Sequence, residues 1–136
     1  KDAQQAEVLK RMVKDLFFNV KLRIMPIVRE ADGLAKSSRN TYLSKSERAA
    51  AVILSSSLET ASMLFKAGER SSQKLVEGVK KLIGDEPMAQ IDYVEIYALP
   101  GLTPAPEVLT KGQYLLALAV KFGTTRLIDN VILEVE

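Results

Sequence analysis

Residues 113–122 and 126–135 are two apolar runs separated only by the turn Phe122-Gly123-Thr124-Thr125. So short a connection permits one arrangement, an antiparallel hairpin. The first run is almost wholly apolar and the second alternates through Leu127, Val131 and Leu133, which predicts a sheet with a buried face. Residues 90–98, with Ile91, Tyr93, Val94 and Ile96, predict a third strand. Between them, Leu99-Pro100-Gly101-Leu102-Thr103-Pro104-Ala105-Pro106 reads as a loop within one domain, since apolar strands lie on both sides of it.

Two helices precede these strands. Ser44-Lys45-Ser46-Glu47 is a capping box opening a helix that should run to about Ala67, burying Ala50, Ile53, Leu54, Leu58, Ala61, Leu64 and Phe65, with Gly68 as its C-terminal cap. A second helix begins at Ser71 or Ser72, carries Leu75, Val76, Val79, Leu82 and Ile83, and stops at Gly84-Asp85-Glu86-Pro87. The pair forms a helical hairpin, and residues 45–136 read as one α+β domain of that hairpin plus a three-stranded antiparallel sheet.

The N-terminal part has a different character. Ala6, Val8, Leu9, Met12, Val13 and Leu16 recur at helical spacing, and residues 17–28, ending in the apolar Ile24-Met25-Pro26-Ile27-Val28, suit a strand of a buried, parallel sheet. A sheet of one parallel strand cannot exist, so residues 1–28 read as the tail of a larger α/β domain.

The chain has 136 residues, no cysteine and no histidine. Thiolate chemistry and the commonest general base are therefore excluded, and any chemistry runs on Lys, Arg, Asp, Glu and hydroxyls. The 19 basic and 17 acidic residues are interspersed, which argues against nucleic acid as a partner. No apolar run approaches the roughly 20 residues of a membrane span. A soluble cytoplasmic protein is the expectation.

Residues 29–44 connect the two parts and place Ser37, Ser38 and Arg39 side by side. Such residues are common in polar loops, where a serine can simply satisfy backbone groups. This loop, however, begins where the expected strand ends, the usual place for ligands of open α/β sheets, and an arginine fork between two hydroxyls suits phosphate oxygens. Gly33 gives the loop the freedom to close. Lys1 and Asp2 open the first helix, where Asp2 reads as a solvated cap; a helix N-terminus with an added lysine also favours anions, and Asp2 can accept from sugar hydroxyls. Spacing alone favours the cap. Gln4 and Gln5 are ambiguous. Asp129 and Asn130 read as the outward face or edge of their strand, Arg126 as a salt-bridge residue, and Tyr93 and Tyr97, sharing a strand face, as packing.

Taken together, Lys1-Asp2-Ala3-Gln4-Gln5, then the run from Val28-Arg29-Glu30-Ala31-Asp32-Gly33 through Lys36-Ser37-Ser38-Arg39-Asn40-Thr41-Tyr42-Leu43, then Gly123-Thr124-Thr125-Arg126-Leu127-Ile128-Asp129-Asn130 closely resemble the pantothenate synthetases, the pantoate–β-alanine ligases. The resemblance spans essentially the whole chain and implies the C-terminal half of such an enzyme. The implied fold is the last helix and strand of a Rossmann-like nucleotidyltransferase domain (1–28), a phosphate-binding loop and hinge (29–44), and a C-terminal lid domain (45–136). The implied reaction joins pantoate to ATP, giving pantoyl adenylate and pyrophosphate; β-alanine then displaces AMP to form pantothenate, the coenzyme A precursor. Position by position, Lys1 would hold ATP phosphates, Asp2 the ribose, Gln5 pantoate, and the Val28 backbone the adenine, while Ser37, Ser38 and Arg39 would close on the triphosphate. Lys1, Ser37, Ser38 and Arg39 are thus the implied catalytic set, acting by positioning and charge. Mg2+ would be held mainly by the phosphates.

Two departures follow from the same resemblance. The family usually has methionine where this chain has Lys36, whose ammonium either adds phosphate attraction or snorkels to solvent. The family's His-x-Gly-His motif and most of its pantoate pocket precede the residue matched by Lys1. Losing one such donor typically costs about 10²- to 10³-fold in rate, so the chain alone is expected to be inactive or nearly so without the missing N-terminal half, and its apolar residues 1–28 to promote self-association or partial disorder. Family enzymes are usually homodimers. The rival reading is a stand-alone interaction module without catalysis.

Overall fold

The computed structural model describes residues 1–136. Helix α1, Ala3–Asp15, is followed by residues without regular secondary structure, then a 3-10 helix at Ser38–Tyr42, α2 (Lys45–Ala50), α3 (Ile53–Lys66) and α4 (Ser72–Gly84). Strands β1 (Ala89–Ala98), β2 (Thr103–Pro104), β3 (Gly112–Phe122) and β4 (Thr125–Val135) complete the chain. The fold is α+β.

The strands form one antiparallel sheet in the order β2-β1-β3-β4. The hairpin turn lies where the sequence predicts it, with Phe122 paired to Thr125 and Gly123 at φ +60°. A fourth, two-residue strand comes from the stretch expected to be loop: Thr103 and Pro104 pair with Ala98 and Tyr97. Proline, which lacks an N–H to donate, is tolerated there because β2 is the sheet edge.

One face of the sheet carries the core. Helix α4 lies over β1 and α3 over β4, and Leu54, Leu58, Phe65, Leu75, Val79 and Ile83 meet Leu116, Leu118, Val120 and Phe122 of β3. Each such fully buried side chain contributes roughly 1.5–3 kcal/mol relative to exposure. Leu64, expected in this core, is instead exposed.

The capping box is formed: the Ser44 hydroxyl accepts from Glu47 N and Glu47 Oε2 from Ser44 N. The helix it opens is shorter than the pattern predicts. It stops after Ala50, and Leu54 N bonds back only three residues, to the Ala51 carbonyl, before α3 begins at Ile53. The β-branched pair Val52-Ile53 crowds this turn, and the tightened backbone lets Ala51 and Leu54 both bury against the sheet. Ser71 caps α4, and Gly68, at φ +110°, follows the end of α3 as expected.

Residues 17–28 form no strand. They run without ladder partners, and Phe17, Val20, Ile24 and Met25 are exposed. A strand needs a neighbour for its N–H and C=O groups, and no other segment of this chain pairs with them. Pairing begins only at Arg29, in an isolated antiparallel bridge with Ala35.

Candidate functional site

The loop between residue 28 and the 3-10 helix is a closed lasso. Glu30 N donates to the Leu34 carbonyl at 2.8 Å, Gly33 N to the Glu30 carbonyl at 2.9 Å, and Lys36 N to the Val28 carbonyl at 2.9 Å. Gly33 sits at φ +94°, and a Cβ there would come within 2.9 Å of the Ser55 hydroxyl, so both conformation and space require glycine. Two arginines anchor the lasso. Arg29 forks onto Asp129 of β4 at 2.7 and 3.0 Å and also donates to the Gly33 carbonyl. Arg48 of α2 forks onto Asp32 at 2.7 and 3.1 Å, which holds the Asp32 carboxyl below the usual carboxylate range.

The lasso delivers Ser37 and Arg39 onto β4. The Ser37 hydroxyl caps the 3-10 helix by accepting from Arg39 N, the Asn40 amide donates to the Ala35 carbonyl, and Arg39 Nη1 donates to the Arg126 carbonyl at 3.4 Å. Lys36, by contrast, is exposed, 3.9 Å from Glu30.

From the other direction comes the start of α1. Asp2 caps it, accepting from Gln5 N at 2.9 Å. The Lys1 carbonyl accepts from the Asn130 amide at 2.6 Å, and the Tyr93 hydroxyl reaches Gln4 at 3.5 Å. Lys1, Asp2, Ser37, Arg39, Arg126 and Ile128 therefore line one cleft of about 260 Å³. Burial lowers the Lys1 ammonium pKa; the nearby Arg39 charge lowers it further, against the opposing pull of Asp129 and Asp2. Two cations held on one cleft repel, and an anion placed between them relieves that repulsion. No group of three or more acidic, histidine or cysteine side chains is placed to hold a metal ion.

Four of the seven predicted site residues, Lys1, Asp2, Ser37 and Arg39, thus meet at one cleft. Ser38 adjoins it on the 3-10 helix but is exposed and does not line it. Gln5 is exposed a turn along α1, and Val28 is exposed with its carbonyl already bonded to Lys36. Arg126 forms the expected salt bridge, to Asp92 at 2.8 Å, and also lines the cleft. Asp129 and Asn130 correct the expectation of an outward or edge position: they are buried, and each fastens one wall of the site. The signal was present in the alternation of β4, because Asp129 falls on the inward phase of Leu127, Val131 and Leu133.

The family model described as pantoate-beta-alanine ligase matches residues 1–132. The chain belongs to that family. Among curated pantoate-beta-alanine ligase relatives, the pantothenate synthetase of Pelotomaculum thermopropionicum is 56% identical over 133 residues, covering 98% of this chain and 46% of that protein. That of Acetivibrio thermocellus is 56% identical over 135 residues, covering 99% and 47%. The chain spans about half the length of the curated relatives it matches. A crystal structure of pantothenate synthetase from Thermus thermophilus superposes with a TM-score of 0.86 at 35% identity, covering 96% of this chain and 46% of that one. A pantoate-beta-alanine ligase from Francisella tularensis, complexed with beta-gamma ATP and beta-alanine, gives a TM-score of 0.61 at 26% identity, with 97% and 41% covered.

Proposed function

We propose that this chain is the triphosphate-handling part of an ATP-dependent ligase that condenses pantoate with β-alanine. In the first step a pantoate carboxylate oxygen attacks the α-phosphorus of ATP and pyrophosphate leaves; in the second the β-alanine amine attacks the acyl carbon of pantoyl adenylate and AMP leaves, giving pantothenate. The observation that carries this reading is the convergence of Lys1, just before α1, and Arg39, on the 3-10 helix, on one cleft that Ser37 also lines. Positive charge fixed there opposes the negative charge that builds on the α-phosphate and the departing pyrophosphate.

In this reading Lys1 and Arg39 bind phosphate oxygens, Ser37 and Ser38 donate to them, and Asp2 accepts from the ribose hydroxyls. The Val28 backbone meets the adenine and Gln5 the pantoate. Mg2+ rides on the phosphates. Residues 1–28 belong to the ATP- and pantoate-binding domain, residues 29–44 are the phosphate loop and hinge, and residues 45–136 are the lid. The part of the relatives that this chain does not span completes the site, and the assembled enzyme is a homodimer.

The test is pantoate-dependent release of pyrophosphate from ATP, with this chain alone and with the separately purified N-terminal half of a relative. Activity in the mixture supports the reading. Absence of both activity and nucleotide affinity in either sample would leave the stand-alone interaction module.

A further inference from the structure

Asp129 stands where the sheet calls for an apolar side chain. On β4 the inward phase reads Leu127, Asp129, Val131, Leu133, and Asp129 is paired across the ladder with Leu118 of the core. It is 2% exposed. A carboxylate at such a position costs free energy unless fully paired, and an ion pair there rarely stabilises a fold more than apolar residues of similar volume. Its pairing is complete: Oδ2 accepts from Arg29 Nη1 at 2.7 Å, and Oδ1 accepts from Arg29 Nη2 at 3.0 Å and from Asn130 N at 2.7 Å.

What this pairing holds in place is the base of the lasso. Arg29 passes the constraint on through its third bond, to the Gly33 carbonyl, and through its backbone bridge to Ala35, two residues before Ser37. The next residue of β4, Asn130, points to the opposite face of the sheet and carries the Lys1 carbonyl. Two adjacent residues of one rigid strand therefore set the separation of the two cationic walls of the cleft.

We propose that Asp129 is a positioning residue, which through Arg29 fixes the place of Ser37 and Arg39 relative to Lys1. The inference rests on the proposed function only for what the positioned groups bind. Positioning of this kind matters because a displacement of about 1 Å at a reacting centre can cost 10²-fold in rate.

The experiment uses this chain, an Asp129→Leu/Arg29→Met double variant, and the near-isosteric Asp129→Asn, which keeps the side chain's size but removes the charge that holds the Arg29 fork. Hydrogen exchange of the Lys36 and Asn40 amides, both bonded within the loop, reads the loop's position without a ligand; calorimetry with inorganic tripolyphosphate reads its consequence. The double variant is expected to melt at or above the temperature of the unsubstituted chain. In both variants the loop amides should lose at least tenfold protection while β3 amides keep theirs, and tripolyphosphate affinity should fall at least tenfold. Unchanged loop protection in both variants overturns the proposal, as does protection lost equally across β3, which would make Asp129 merely structural. If the unsubstituted chain fails to bind tripolyphosphate, the phosphate cleft is refuted instead, and the exchange data alone decide the role of Asp129.

Discussion

Gly123, in the turn between β3 and β4, lies directly against the carboxylate of Glu47, so that a Cβ added to the glycine would stand 2.5 Å from Glu47 Oε1. The other oxygen of that carboxylate closes the capping box of α2, so Glu47 cannot swing away without uncapping the helix. Gly123 is also at φ +60°, a conformation that costs other residues of order 1 kcal/mol. Gly123→Ala is therefore expected to lower stability by about 1–3 kcal/mol in urea unfolding. In a Glu47→Ala background the same substitution should cost less, leaving only the backbone strain, and a double-mutant cycle measures the difference.

The cleft predicts a particular pH dependence. Burial and Arg39 lower the Lys1 pKa, so anion binding, which needs the protonated amine, should weaken as pH rises and begin to do so below the ordinary lysine range. A bound polyanion raises the Lys1 pKa again, so binding at alkaline pH should take up protons, a quantity read by calorimetry in buffers of different ionisation enthalpy. Arg39→Gln removes the repelling charge; it should move the Lys1 titration upward in NMR while cutting tripolyphosphate affinity about tenfold or more. A parallel, unshifted titration in both proteins would show that the two cations do not share a site.

Asp32 and Arg48 clamp the lasso from the helical side, with the Asp32 pKa lowered first by its hydrogen bonds from Arg48. A depressed carboxylate contributes stability above its unfolded pKa and loses it as pH falls through the folded one. Arg48→Gln should thus separate from the unsubstituted chain in thermal melts at neutral pH and converge with it below about pH 4, as the carboxylate protonates in both.

Residues 16–25 expose Leu16, Phe17, Val20, Ile24 and Met25 without partners. Such a run favours self-association. Sedimentation velocity should show concentration-dependent oligomers, and Phe17→Ser with Ile24→Ser should reduce them without lowering the melting temperature, because neither side chain belongs to the core.

What was legible in the sequence was local. The Gly123 turn, the Ser44–Glu47 box, the Ser71 cap and the apolar phases of α4 and β3 each follow from a few adjacent residues. The cleft was partly legible, since Ser37 and Arg39 stand together in the chain and Lys1 opens a helix. What the sequence hid depends on distant partners: Arg29 meets Asp129 across 100 positions, and Lys1 meets Asn130 across 129. An apolar segment such as residues 17–28 shows strand character but not whether a neighbour exists to pair with it. The Ala51 kink lies between these cases, because a β-branched pair within a helix is visible but its consequence is set by the sheet beneath.

Helix α1 buries none of its side chains, and its hydrogen bonds to the rest of the fold are both at its first turn, through the Lys1 carbonyl and Gln4. Thirteen residues make a rod roughly 20 Å long, hydrogen-bonded to the sheet at the end that meets the cleft. Its geometry is that of a boom on a pivot: a tilt about that end would carry Leu16 through several ångströms and leave Lys1 nearly still. The place of the charge that faces Arg39 is thereby set by the end of α1 that the sheet holds, and not by where the far end of the helix lies.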